Sequence, residues 1–305
     1  MAQEDEIPKH YQPLFTKNVD YLVQKEGSLL LPYVDVNSDY IGESIEVVKQ
    51  FGPSKARRGE NTRHGDTPIM STPRDQRWVV PENIDWGDLF DRNDLMKQLI
   101  DASSAITRVA GMAMGRETDV TIINSFFGDA RTGKGGATIT PFPVDASQDV
   151  GIQVGSAPAA DVGMNVAKII RGRRILRANY AINRGDPLVV VGAARQEEEM
   201  FNDDRFVNTR YRRTTVLEDA DSNEFFKCTF IFLEEMPTDP ADVTKRWCAM
   251  FPKSAIHLGR WNGGLQTHLA QNPQKKFNWQ LYMHETQGAT RTQEKKVVKI
   301  ICKEA

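Results

Sequence analysis

Residues Gly128-Asp129-Ala130-Arg131-Thr132-Gly133-Lys134-Gly135 come nearest to a reactive motif in this chain. A glycine-rich turn ending in lysine can wrap phosphates, because glycine brings backbone N–H groups close and lysine supplies the countercharge. The accompanying magnesium needs a hydroxyl directly after the lysine, and Gly135 stands there. A helix should follow, yet Gly136-Ala137-Thr138-Ile139-Thr140-Pro141 does not begin one. Nucleotide chemistry at Gly128 to Gly135 is therefore the rival reading. Cys228, Cys248 and Cys302 form no C-x-x-C pair, and His10, His64, His257, His268 and His284 lack ligand spacing. Two of the cysteines sit in apolar stretches, as small buried hydrophobes do. No nucleophile–base signature is present. No catalytic, cofactor-binding or metal-binding residue is expected, and the chain is not expected to be an enzyme.

Two basic clusters remain. Lys168, Arg171, Arg174 and Arg177, with Arg173 added, fall on one side of a helix whose other side carries Val162, Val166, Ile169, Ile170 and Leu176. The stripe either faces nucleic acid inside a container or pairs with acidic surface such as Glu197 to Glu199. A net charge of −2 favours pairing, since nucleic-acid coats carry a large positive excess. The second cluster, Lys55, Arg57, Arg58, Arg63 and Arg74, lies in Gly52 to Asp75. That stretch lacks periodicity and is broken by Gly52, Pro53, Gly59, Gly65, Pro68 and Pro73. Loops of that length inside a domain are functional or solvated. The functional reading is a two-stranded arm reaching a neighbouring subunit.

The elements that must position these residues belong to a mixed α/β chain of 305 residues, 40% hydrophobic and 26% charged. No window is apolar enough to cross a bilayer, and the acidic N-terminus does not read as a signal peptide. A short helix is expected within Tyr11 to Leu31, and strands over Ser44 to Phe51 and Gln76 to Val80. A long helix should start with Asp91 as N-cap and loosen or end at Gly111 and Gly115. Val120 to Phe127 follows as a separate apolar run. Asp161 should cap the basic helix. Pro187 to Gly192 reads as a buried strand, Arg195 to Phe201 as a helix, and Phe226 to Phe232 as a strand covered on both faces. Trp279 to Met283 and Val297 to Cys302 read as strands separated by a turn at Gly288-Ala289-Thr290-Arg291.

In that order the elements resemble the major capsid proteins of tailed bacteriophages. The most specific match is Gly288-Ala289-Thr290-Arg291 running into Val297-Val298-Lys299-Ile300, preceded by an aromatic strand. A second is Gly115-Arg116-Glu117-Thr118-Asp119, then Ile122-Ile123-Asn124, then the Gly128 to Gly133 turn. The resemblance implies an α+β capsid fold: N-terminal arm 1–42, extended loop 43–85, spine helix (Asp91 to Gly115) with the first part of a peripheral domain over 86–200, axial domain 201–275, and C-terminal strands 276–305 returning to the peripheral domain. It implies a shell protein that self-assembles as hexamers and pentamers into an icosahedral head around double-stranded DNA, held by weak non-specific contact. A separate scaffolding protein, a portal protein at one vertex and a decoration protein are the further partners, with no membrane. The place is the virion, assembled in the bacterial host cytoplasm. The alternative within the same fold is the shell of a cellular nanocompartment.

Overall fold

The computed structural model describes residues 24–42, 45–52, 54, 56, 71–90, 102–143, 147–156, 158–183, 185–207 and 224–304. In chain order these form β1 (Asp35–Tyr40), β2 (Ile45–Phe51), β3 (Arg74–Val79), β4 (Glu82–Phe90) and the long helix α1 (Ala102–Phe127). Then come β5 (Ala130–Thr132), β6 (Thr138–Thr140), β7 (Asp149–Val150), α2 (Val166–Ala178), β8 (Leu188–Gly192), α3 (Ala194–Phe201) and α4 (Asp204–Val207). The remainder is β9 (Glu224–Phe225), β10 (Cys228–Phe232), β11 (Thr238–Asp239), β12 (Asp242–Pro252), β13 (Ile256–Trp261), β14 (Gln266–Asn272), β15 (Asn278–Arg291) and β16 (Val298–Lys303).

Among the described residues the strands make three sheets. The largest runs β7-β16-β12-β8-β10-β9, with β11 on β12. Its central strand β8 is apolar on both faces because both are covered: every residue from Leu188 to Gly192 is buried. Alternate residues feed two cores. Leu188, Val190, Phe230, Met250 and Ile300 meet Val166, Ile169 and Leu176 of α2. Val189, Val191, Ile231 and Phe251 meet Ile122, Ile123 and Phe126 of α1. The second sheet is organised around β15, whose first half lies between β4 and β14 and whose second half pairs with β13. Parallel β1 then adds to β13. Leu281 and Met283 of β15 pack on Ala110 and Met114 of α1. The third sheet, β2-β3-β5-β6, is small and antiparallel.

Several expectations are corrected. α1 does not stop at Gly115 but runs on through the apolar run to Phe127; Asp91 lies outside the described residues. Gly115 is there for packing: a Cβ on it would sit 2.6 Å from Gly27 Cα, where the chain crosses the helix. The cap of α2 is Asn165, whose side chain accepts from the Lys168 N–H at 2.8 Å; Asp161 lies ahead of it and is exposed. Gly288-Ala289-Thr290-Arg291 is the end of β15, and the turn comes after it, at Thr292 to Val297. The two C-terminal strands part company: β15 belongs to the second sheet, whereas β16 pairs with β12 in the largest. Phe226 sits in the turn before β10, with φ of 57°.

Candidate assembly interface

The glycine-rich stretch at 128–136 is a hairpin added to the base of the arm segment. A helix precedes it and a strand follows, the reverse of a phosphate-binding loop. Lys134 is exposed in the turn. β5 pairs with β3, and the Trp78 indole N–H donates to Gly133 O at 2.7 Å. From the other side, buried Arg77 of β3 pairs with Glu294 at 2.6 Å, and the Gln50 carboxamide donates to Thr292 O. β2 and β3 thus leave the body through a polar clamp. Arg74, at the outer end of β3, is exposed and holds its guanidinium carbon 5.7 Å from the Phe51 ring centre. Lys55, Arg57, Arg58 and Arg63 lie outside the described residues.

A second clamp fixes the N-terminal segment to α1. Asp119 is completely buried. Its carboxylate accepts from the backbone N–H of Leu29 at 2.9 Å and of Leu30 at 3.1 Å, and from the Ser28 hydroxyl. Lys25 Nζ completes the set at 2.6 Å and also faces Glu235 at 3.4 Å. Arg116, one turn earlier, donates to Gln24 Oε1 and Lys25 O. The Gly115-to-Asp119 motif is therefore the surface on which residues 24–30 lie.

Arg291 forms the third. Nearly all of it is buried, and Nη1 donates to the carbonyls of Ser125 at 3.1 Å, Phe126 at 3.2 Å and Gly128. Those are groups a helix C-terminus leaves unpaired, and a cation there is favoured by the helix dipole. Phe142 lies over the guanidinium, 5.4 Å from its carbon. Burial pulls the Arg291 pKa down to about 10. Gly288, three residues earlier, has no room for a Cβ against Val80 O. Both residues that define the motif are thus explained by contact, one with a helix end and one with backbone.

The basic helix divides differently from its sequence reading. Lys168 is not on the stripe: it is fully buried, and Nζ donates to Val162 O at 2.6 Å and Ile301 O at 2.7 Å. Burial lowers its pKa, against the pull of Cys302, Cys248, Glu199 and Asp161. Ile170, assigned to the apolar side, is 46% exposed. Arg171, Arg174 and Arg177 are exposed as expected. Pairing of the stripe with acidic surface such as Glu197 to Glu199 is expected within or between subunits; within this subunit no such pair is seen among the described residues, where Glu199 faces Arg195 at 3.7 Å. Arg173, Arg174 and Arg177 line a cavity of about 310 Å³ with Ile170 and Phe226. Arg173 donates to Phe226 O and sits 5.5 Å from that ring's centre.

The phage capsid protein family model matches residues 7–304 of this sequence. The chain belongs to that family. No curated protein matches it. Among solved structures it is similar to the capsid of cyanophage P-SCSP1u, at 10% identity and a TM-score of 0.69 over 97% of this chain and 94% of that one. The capsid of Ralstonia phage GP4 is similar at 12% identity and TM-score 0.68, over 99% and 98% of the two chains. The head structure of Helicobacter pylori bacteriophage KHP40 follows at 9%, TM-score 0.69, over 98% and 96%. The α+β fold of this phage capsid protein is accordingly that of phage shells. At such identities side chains have drifted while the arrangement of elements persists. Sequence reasoning had both clamp motifs in hand as resemblances, yet missed the contacts of Asp119 and Arg291. Neither charge stands out locally, since Asp119 follows Arg116 and Glu117 and Arg291 lies three residues before Glu294, so the sequence carried no signal for their burial.

Proposed function

We propose that this phage capsid protein is the major head protein of a tailed phage, assembling as hexamers and pentamers into an icosahedral shell around double-stranded DNA. The carrying observation is the family match over nearly the whole chain, joined to a fold shared end to end with phage shells. In this reading residues 1–42 are the arm, 43–85 the extended loop, α1 the spine helix, 201–275 the axial domain and 276–305 peripheral strands. Scaffolding, portal and decoration proteins are its partners, DNA contacts are weak, and the virion assembles in the host cytoplasm. Lys55, Arg57, Arg58, Arg63 and Arg74 reach a neighbouring subunit. Exposed Glu82, Asp85 and Asp88 along β4 offer a surface of the matching sign.

Electron microscopy of the purified chain tests the reading. With its scaffolding and portal proteins present, closed shells around DNA are expected; shells filled with enzyme cargo, or only small oligomers, would overturn it. Arg57, Arg58 and Arg63 replaced together by glutamate should leave circular dichroism and a cooperative melt intact while free capsomers or aberrant particles accumulate. One exposed pair contributes only about 0–1 kcal/mol, but closed symmetry repeats it in every subunit. Loss of folding would place the loop in its own core, and normal particle yield would make it a solvated loop.

A further inference from the structure

Three arginines on α2 have no carboxylate partner among the described residues of their own subunit: Arg171, Arg174 and Arg177. Arg174 and Arg177 rim the cavity that Ile170 and Phe226 floor. Phe226 is 50% exposed although aromatic, and it is carried on a turn in which both Phe226 and Lys227 have positive φ, 57° and 59°. Both φ values follow from the two-residue hairpin that joins β9 to β10, since its turn needs φ > 0 at both central positions. The exposure of the ring is the separate observation that matters. The patch is basic with an apolar floor.

An opposite patch lies at the other end of the same unit. β8 and β10 run parallel, Leu188 to Gly192 beside Cys228 to Phe232. The Phe226 turn stands where both strands begin, and α3 leaves from the end where β8 finishes. α2 spans the distance between them. Its start is held by α3 and the residues after it, since Glu199 accepts from the Met164 N–H at 2.6 Å and Asp203 from the Val166 N–H at 3.0 Å. Its later turns carry Arg173 to the Phe226 carbonyl. Thirteen helical residues extend about 20 Å, so the two ends are well separated. At the far end Glu198 and Asp204 are exposed without a described partner, and between them Phe201 is 38% exposed. Arg195 and Arg205 are exposed beside it, but five acids (Glu197, Glu198, Glu199, Asp203 and Asp204) outnumber them, so the patch is net acidic with an apolar centre.

We infer that the Arg171/Arg174/Arg177 face with its Ile170–Phe226 floor receives the Glu198–Phe201–Asp204 face of a second copy of this chain. Two complementary patches on one subunit make a heterologous contact, which closes into a ring when the rotation permits. A flat phosphate rod would use the arginines but would leave the aromatic floor uncovered. An acidic face with its own phenylalanine uses both. The inference rests on the shell reading and adds to it the contact within each ring.

The test is a charge swap in the full chain, scored by sedimentation and electron microscopy of particles. Arg171→Glu/Arg174→Glu/Arg177→Glu should lower particle yield by about tenfold, because like charges then face each other. Glu198→Arg/Asp204→Arg should do the same, and combining both sets should restore rings and shells. Restoration is the decisive readout, since a merely damaged surface is not repaired by a second change. No assembly of the unmodified chain co-expressed with its scaffolding protein would sink the shell reading together with this contact. Normal assembly of either variant, or a combined variant as defective as its parents, would overturn this contact alone. So would arginine variants that form shells but fail to retain DNA, which would assign the face to nucleic acid. If the glutamate triple loses its cooperative melt, Arg171→Gln/Arg174→Gln/Arg177→Gln is read instead: reduced yield supports the contact and unchanged yield overturns it.

Discussion

Asp119→Ala should release the N-terminal segment from α1 while leaving the cores in place. The carboxylate has no exposed surface and serves the N–H groups of Leu29 and Leu30, the Ser28 hydroxyl and Lys25 at once. Orphaning a buried donor costs about 1–3 kcal/mol, and breaking a buried ion pair about 3–5 kcal/mol. These are not additive, and water recovers part of the loss, since the Lys25 side chain is 15% exposed and keeps Glu235 nearby. A net cost of about 3–4 kcal/mol for holding the segment is the reasoned figure. At about 1.4 kcal/mol per tenfold, that is roughly 100- to 1,000-fold in the opening equilibrium. Amide hydrogen exchange reads it directly: Leu29 and Leu30 should exchange faster by that factor, while Val190 and Phe251 in the largest sheet keep their protection. Asp119→Asn retains one acceptor oxygen and should fall between. Unchanged exchange at Leu29 and Leu30 would refute the clamp, and equal acceleration everywhere would mean the residue supports the whole fold instead.

Arg291→Met should destabilise the fold by about 1–3 kcal/mol and lower the thermal transition, because three backbone carbonyls at the helix end lose their charged donor. A melt within error of the parent would count against the cap. Lys134→Ala, in an exposed hairpin turn, should leave particle yield unchanged and abolish no ATP binding; saturable ATP binding lost in the variant would revive the nucleotide reading. Burial lowers the pKa of Lys168 below its usual 10.5. Between the folded and unfolded values the folded chain therefore binds fewer protons, and this site's contribution to stability rises with pH across that window. Denaturant melts at rising alkaline pH should show Lys168→Met losing that upward slope relative to the parent; identical slopes would sink the argument.

Where one physical rule dominated, the sequence was legible. Ile45 to Phe51, Leu188 to Gly192 and Val298 to Lys303 are β-branched or apolar runs, and each is a strand. β4 was not legible because Glu82-Asn83-Ile84-Asp85-Trp86-Gly87-Asp88 reads as polar loop; it is a strand because β15 supplies its ladder. β14, Gln266 to Asn272, escaped for the same reason, being exposed along most of its length. Glycine misled twice, at Gly115 and at Gly288, since a close approach and a break leave the same mark in one sequence. Lys168 misled through its charge. Its neighbours on the buried face are Val166, Ile169, Gly172 and Leu176, and a long stem reaching two carbonyls was geometrically open but unreadable from composition. The exposed arginines were found, whereas the Phe226 turn beside them is a tertiary neighbour and left no local trace.

β15 also determines how this protein bears a load. Its fourteen residues extend about 45 Å. The first half is bonded along both edges, to β4 and β14, and the last residue is plugged into the end of α1. A pull along the strand meets all those bonds side by side, in shear, so they must fail together rather than unzip one at a time. A sideways pull on the tip where Lys276 and Phe277 turn would peel the β14–β15 ribbon in sequence from Asn272 and Asn278. The subunit is therefore stiff along β15 and compliant across its tip, and a shell made of it would resist stretching in one direction far more than bending in the other.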